Sequence, residues 1–227
     1  MSEKGNQAVK TVSFMMLITL FGKILGMVRE QLLAANYGTD MQAAAFLLAS
    51  RIPRTFFDVI FASAISASFI PVFVEYLQKK GRQEAFSLAN RFITMISTVT
   101  LLMMLLGMAF AKPLTLLIAP GYDVETVTLC VGLLRMLFPT MLFTAVAFSF
   151  VGILQSLEEF NVPAALSVVS NGVLILYYIF FNEKFGILGL TVAFLIGWAM
   201  QAVIQIPSLW KKGYHYRPDF HFKDDGL

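Results

Sequence analysis

Charge, histidine and cysteine are what this chain of 227 residues has least of. Charged residues make up only 14% of it, against about 25% in soluble domains. Both histidines, His215 and His221, stand close to the C-terminus, so the apolar stretches contain no His/Glu metal spacing and no nucleophile motif. An enzyme is therefore disfavoured, and no cofactor or metal is expected. The single cysteine, Cys130, excludes an intrachain disulfide and reads as a packing residue. What the chain has in excess is apolar surface. Hydrophobic residues are 58% of the chain and the mean hydropathy is +0.74, more than a soluble core could hide.

Apolar windows of about 20 residues, the length that crosses a bilayer core, recur along the chain at residues 9–27, 43–73, 92–111, 126–154, 162–181 and 187–207. The second is long and interrupted. A backbone exposed to lipid must satisfy its own hydrogen bonds, and these runs lack the alternation of a barrel, so all six are expected to be helical. The fold class is all-α: a polytopic bundle of six transmembrane helices. The N-terminal decad is short and polar and leads into span one without a small-residue cleavage pattern, which predicts a retained span and not a signal peptide.

Basic residues flank alternate ends of the spans. Lys4 and Lys10 precede the first, Lys79, Lys80, Arg82 and Arg91 follow the second, and Lys211, Lys212, Arg217 and Lys223 follow the sixth. The intervening segments around Asp40, Asp123 and Glu183 are poor in bases, so the positive-inside rule puts both termini in the cytoplasm. The loop at Glu158 and Glu159 carries no base, and its cytoplasmic placement follows only from counting spans. A net charge of +3 and a pI near 9.0 arise from these flanks, so the partner they suggest is anionic membrane lipid and not nucleic acid.

Against this background, Lys23, Arg29, Arg51 and Arg54 stand out, because they lie inside or at the edge of the first two spans. A cation within the bilayer costs roughly 2.5–3.5 kcal/mol on insertion scales and survives where it faces a wet cavity, a partner or an anionic substrate. Gly22, Gly26 and Arg29 follow the i, i+4, i+7 spacing of one helix face. The glycines permit close approach of a neighbouring helix with Arg29 beside the contact, while Lys23 and Glu30 share an adjacent face. The bland alternative is a packing notch with Arg29 snorkelling to the interface. Arg51 and Arg54 are one turn apart with Asp58 a turn further, which fits either a phosphate-binding cluster or an internal Arg–Asp pair. Pro53 interrupts the second span, Pro71 lies near its end, and the run 62–68 between them, which includes Ser66, is made largely of small residues. These features suit either a fixed kink or a moving gate. Pro139 stands four residues after the intramembrane Arg135 in span four.

The stretch Gly22-Lys23-Ile24-Leu25-Gly26-Met27-Val28-Arg29-Glu30, followed by Leu32-Leu33-Ala34-Ala35 and Tyr37-Gly38, resembles the opening signature of the MurJ/MviN family of lipid II flippases, in the multidrug/oligosaccharidyl-lipid/polysaccharide exporter superfamily. Arg51-Ile52-Pro53, Ile60-Phe61-Ala62, Ser68-Phe69-Ile70-Pro71-Val72-Phe73, Ala119-Pro120-Gly121 and Gln205-Ile206-Pro207 extend the likeness over almost the whole chain. The resemblance implies two six-helix lobes around a cationic cavity, flipping an undecaprenyl-diphosphate-linked peptidoglycan precursor across the bacterial cytoplasmic membrane by alternating access. It carries the family's positions onto Arg29, Glu30, Lys23 and Arg51, which together with Arg54 are the expected substrate-binding residues; the proline, small-residue and glycine features put the expected gating at Pro53, Ser66, Gly22 and Gly26.

The sequence departs from the family pattern in three respects. Ala44 replaces the acidic residue often found before the Ala-Phe pair, with Asp40 four residues earlier. Phe57 and Asp58 stand where some members carry paired arginines, leaving Arg54 as the substitute from another turn. Six spans are half the family's usual complement, so residues 1–210 are expected to form an N-terminal lobe and residues 211–227 a polar cytoplasmic tail or inter-lobe linker, with the second lobe as partner. Other readings remain: an exporter of another polyprenyl-linked saccharide, a drug/cation antiporter, or a non-transporting membrane scaffold.

Overall fold

A computed structural model describes residues 3–62 and 64–221, with side-chain surroundings for 12–61 and 65–221. Ser63 and Lys223, and the side chains of Lys4, Lys10, Ala62 and Ala64, lie outside that description. The described residues form helices α1 (Glu3–Tyr37), α2 (Met41–Phe57), α3 (Ile70–Lys79), α4 (Arg82–Ala109), α5 (Ala111–Ile118), α6 (Val124–Leu137), α7 (Thr140–Ser156), α8 (Asn161–Ala164), α9 (Leu166–Phe180), α10 (Asn182–Val203) and α11 (Ile206–Lys211). Two π-helical stretches, Asp58–Ala62 and Ala64–Phe69, join α2 to α3.

These helices make six spans long and apolar enough to cross a bilayer: Val12–Tyr37, Met41–Lys79, Arg82–Ala109, Val124–Ser156, Asn161–Phe180 and Asn182–Lys211. The expected bundle is present, with two shifts in its detail. Span one was expected to stop near residue 27, but α1 continues to Tyr37, because Glu30, Gln31, Leu32 and Ala34 are good helix formers that sustain the helix past the apolar window. Arg29 and Glu30 therefore sit within a helix and not at its end. The interruption expected at Pro53 also lies elsewhere. Pro53 is buried inside α2, which runs on to Phe57, and the departure from α-geometry comes downstream between Asp58 and Phe69. The described residues of the small-residue run, 62 and 64–68, fall in those π-helical stretches, in which i→i+5 bonding widens the helix.

Packing follows the apolar faces. α1 lies against α9, α2 against α6, α9 against α10, and α7 against both α4 and α10. Phenylalanines hold the π-helical segment in the bundle: Phe57 and Phe73 are fully buried, Phe57 meets Phe148 at 5.6 Å, and Phe69 stacks on Phe92 at 4.1 Å between ring centroids. Such close aromatic contacts matter here because lipid tails are as apolar as the core, leaving shape-matched packing to hold the helices together. α1 is peripheral, with Met16, Leu17 and Met27 about two-thirds exposed.

Hydrogen bonds sort the connections into two ends. Lys212 donates to the Leu157 carbonyl at 3.0 Å, Tyr214 to Asn90 at 2.9 Å, and Arg91 to Asp219 at 3.0 Å. These bonds bring the start of α4, the α7–α8 loop and the C-terminal segment together. The base-free loop at Glu158 and Glu159 is thus on the same side as the strongly basic flanks. At the other end, Asn182 accepts from the Tyr37 hydroxyl and donates to Asn36 at 2.8 Å.

Of the segment expected as a polar tail or inter-lobe linker, the described residues 211–221 dock as a strap: Tyr214 is fully buried, and burial raises its phenol pKa above the ordinary value. The carboxylate of Asp219 is held down to about 2 by the backbone N–H of His221, then by the His221 ring, with Arg91 adding to both. A carboxyl group depressed in the folded state favours docking above its ordinary pKa and loses that contribution as pH falls through the folded value. The strap is therefore expected to stay docked above about pH 4 and to loosen between about pH 4 and pH 2. Trp210, stacked on His215 at 6.1 Å, is a fluorescent reporter of that change, and Asp219→Asn should remove its pH dependence.

Candidate functional site

The two glycines of α1 set the site. A Cβ placed on Gly22 would lie 3.0 Å from the Cβ of Ser167 on α9, and one on Gly26 would lie 3.5 Å from the Asn171 side-chain nitrogen. Backbone contact at Gly22 brings α9 close enough for the Asn171 amide to donate to the Gly22 carbonyl at 3.1 Å while its oxygen accepts from Arg29 Nη1 at 3.1 Å. The other guanidinium nitrogen, Nη2, reaches Glu30 Oε1 at 2.7 Å. The same-face spacing of Gly22, Gly26 and Arg29 thus closes a small network, and Asn171, 7% exposed, is its hinge. Arg29, about a third exposed, is tied to α9 by this network.

Arg29, Glu30, Arg51 and Arg54 line one cavity of about 150 Å³, together with Ser50, Tyr178, Phe194 and Trp198. Residues from α1, α2, α9 and α10 that are far apart in sequence converge there. Three arginines against one glutamate leave the cavity with an excess of positive charge, and their planar forks suit bidentate binding of phosphate oxygens. Arg54 also pairs with Asp58 at 3.4 Å, and its guanidinium lies 5.6 Å from the Trp198 ring centroid. The Arg–Asp pair is present, but about half exposed and of small energetic weight, and the Arg54 guanidinium also lies on the cavity wall.

The other site candidates fall elsewhere. Lys23 is exposed on α1 and lines none of the cavities at Arg29 and Arg54. Asp40 precedes α2 at its N-terminus, also away from these cavities, and makes no side-chain cap. Phe57 fills the core in place of an arginine. Ser66, Ala67 and Ser68 are exposed, while Ile65 and Phe69 on either side point into the core. Ser66 accordingly fills no notch between helices of this bundle.

Sequence reasoning missed Asn171, Tyr178, Trp198 and Gln201, which complete the walls of this region. The first and last were available to it, since an amide in the middle of a long apolar span carries the same cost argument as a charge. The aromatic pair carried no such signal.

The family model "Lipid II flippase MurJ" matches residues 33–227. The chain belongs to the MurJ lipid II flippase family. It is 31% identical over 215 residues to a probable lipid II flippase MurJ of Buchnera aphidicola subsp. Acyrthosiphon pisum, covering 93% of this chain and 42% of that protein. To the lipid II flippase MurJ of Burkholderia cenocepacia it is 26% identical, with 85% and 38% covered. A solved lipid II flippase MurJ in an inward closed conformation superimposes with a TM-score of 0.76 at 27% identity, over 91% of this chain and 43% of that one. A transporter of the multidrug/oligosaccharidyl-lipid/polysaccharide superfamily from Pyrococcus furiosus shares the fold, with a TM-score of 0.70 at 15% identity. The chain spans about two-fifths of the length of the MurJ relatives it matches.

Proposed function

We propose that this chain is the N-terminal lobe of a flippase for an undecaprenyl-diphosphate-linked peptidoglycan precursor, and that Arg29, Arg51 and Arg54 hold the diphosphate. The convergence of these three arginines on one cavity carries the reading. An organic cation would be repelled from such a wall, whereas a lipid diphosphate gains charge-assisted hydrogen bonds there. Glu30 orients Arg29 and keeps the unloaded cavity from becoming purely cationic. Lys23, exposed beside the motif, would meet the anion on its approach.

Alternating access requires a second lobe to close the cavity, and the exposed face of α1 is available to it. The π-helical segment supplies a deformable joint, since its widened geometry stores no tight α-helical ladder. Ser66 would then act against the second lobe, with Pro53 fixing the helix above the joint and Gly22 and Gly26 providing the α1–α9 contact on which α1 pivots. In the cell the lobe would lie in the cytoplasmic membrane with the strap end, rich in Lys and Arg, inside.

The test is flipping of a fluorescent undecaprenyl-diphosphate saccharide by the two-lobe protein in vesicles, beside thiol labelling of single cysteines placed at 40, 80 and 212 in intact cells. Flipping by the intact protein is expected, with position 40 labelled by impermeant reagent and positions 80 and 212 shielded. Ser66→Leu is expected to slow flipping at normal folded yield. Absence of flipping by well-folded protein would remove the transport reading, and labelling at 80 and 212 instead of 40 would reverse the orientation.

A further inference from the structure

The arginine cavity does not end at Arg54. A second cavity of about 130 Å³ shares Arg29, Arg54, Asn171 and Trp198 with it and adds Ser167 and Gln201. A third, about 380 Å³, continues from Arg54, Trp198, Ser167 and Gln201 to Gln155, Phe160 and Pro163. The three form one groove along α1, α7, α9 and α10, and its chemistry changes along its length. Guanidinium groups stand at one end, whereas the far end has amides, hydroxyls and aromatic or proline surface and no charged side chain past Arg54.

Gln201 marks the second part as a binding site. Its side chain is only 6% exposed, it borders both the second and third cavities, and its amide has no hydrogen-bond partner among the described residues. Its neighbour one turn on, Gln205, by contrast spends its amide nitrogen on the Ala147 and Gln201 carbonyls. Among the described residues the buried side-chain polar atom without a partner is Gln205 Oε1; the Gln201 amide instead borders open cavity space and keeps its donors and acceptor for a molecule there. Facing a groove, it is placed to be satisfied by a bound molecule. Trp198 borders all three cavities and offers a flat apolar wall next to that amide. Buried amides beside an indole suit a pyranose ring bearing an N-acetyl group: the indole covers the ring's C–H surface and Gln201 can both donate to and accept from the acetamide.

Resting on the proposed diphosphate site, we infer that Trp198 and Gln201, with Ser167 and Gln155 beyond them, form a subsite for the N-acetylated sugar directly attached to the diphosphate. The spacing agrees with that order. The Arg54 guanidinium lies 5.6 Å from the Trp198 ring centroid, so the last arginine and the indole stand side by side on the groove wall. The groove would therefore read the ligand in two parts, charge by arginine and sugar by amide and indole. Specificity for a saccharide over the bare carrier lipid then comes from this lobe, because an analogue lacking the acetamide leaves Gln201 unpaired.

The test uses the full 227-residue chain in detergent and native mass spectrometry with two probes, undecaprenyl diphosphate and undecaprenyl-diphosphate-N-acetylglucosamine. Gln201→Leu and Trp198→Ala are each expected to weaken the saccharide-bearing lipid about tenfold, as one lost uncharged contact set implies, while leaving the bare diphosphate lipid within about twofold. Arg29→Ala is expected to weaken both. Equal losses for both probes in the Gln201 and Trp198 variants, with unchanged melting temperature, would make these residues structural and overturn the subsite while leaving the diphosphate site in place. A lower melting temperature in either variant moves its comparison to Gln201→Glu and Trp198→Phe, and indifference of these to the sugar also overturns the subsite. Failure of the unmodified chain to bind either lipid would overturn the diphosphate site, and the subsite with it.

Discussion

Arg29→Ala in the two-lobe protein should abolish flipping without loss of folded protein. The Arg29 guanidinium is held by two close hydrogen bonds, to Asn171 at 3.1 Å and to Glu30 at 2.7 Å, tighter than the 3.4 Å pair of Arg54 with Asp58. A guanidinium held in this way binds an anion without first losing side-chain entropy. Removing one member of a hydrogen-bonded charge pair typically costs about 2–5 kcal/mol of binding, so the expected loss is about thirtyfold to a few thousandfold. Folding should survive, because Arg29 keeps about a third of its side-chain surface exposed and its loss leaves no buried charge behind. Glu30, about 60% exposed, remains solvated.

Arg29→Lys separates charge from geometry. An ammonium cannot hold Asn171 and Glu30 in one plane while presenting a fork to phosphate, so partial flipping is expected. Asn171→Ala provides a further check: it leaves the charge of Arg29 in place and removes only its support, so flipping should fall less than in Arg29→Ala. Measured flipping in vesicles, normalised to folded protein from size-exclusion elution, decides the matter. Wild-type rates for Arg29→Ala would leave the arginine a structural element.

The physical reasons why the sequence showed some of this and not the rest are visible at individual residues. Membrane insertion constrains composition so strongly that six apolar windows could be placed without any contact information. The cost of an embedded charge likewise drew attention to Arg29, Arg51 and Arg54, which converge in the fold. Lys23 carried the same signal and lies outside the cavity, because the cost argument does not say which face of the helix a lysine takes, and Lys23 stands on an exposed face in the middle of α1. The end of α1 was misplaced for a related reason: hydropathy reports where lipid contact stops, not where a helix stops. Pro53 predicted a break that appears several residues later, since a helix can bury a proline if neighbouring packing satisfies the freed carbonyl. The partners of the arginines, Asn171 and Trp198, come from spans five and six, and only three-dimensional packing brings them to spans one and two.

Gly22 and Gly26 looked equivalent in sequence, and the structure gives them different expected responses to substitution. A methyl group on Gly26 meets the Asn171 amide at an ordinary 3.5 Å, so Gly26→Ala should be tolerated and, through the better helix propensity of alanine, could gain up to about 1 kcal/mol. At Gly22 the same methyl lies 3.0 Å from the Ser167 Cβ, with the Val168 backbone nitrogen at 3.5 Å, and helix backbones do not move aside as a flexible side chain would. Gly22→Leu would therefore force α1 away from α9, at an overpacking cost of about 1–3 kcal/mol. The separation also breaks the bond from Asn171 to the Gly22 carbonyl and takes Arg29 off its support. The expected result is a lowered melting temperature together with a loss of lipid-diphosphate binding out of proportion to it, and a near-normal Gly26→Ala protein measured beside it. If Gly22→Leu melts and binds as the unmodified chain does, α1 does not need its close seat on α9 and the Asn171 network is not what positions Arg29. If Gly26→Ala loses binding while keeping its stability, the glycine is needed for motion of α1 and not for its packing, and the pivot reading gains over the static one.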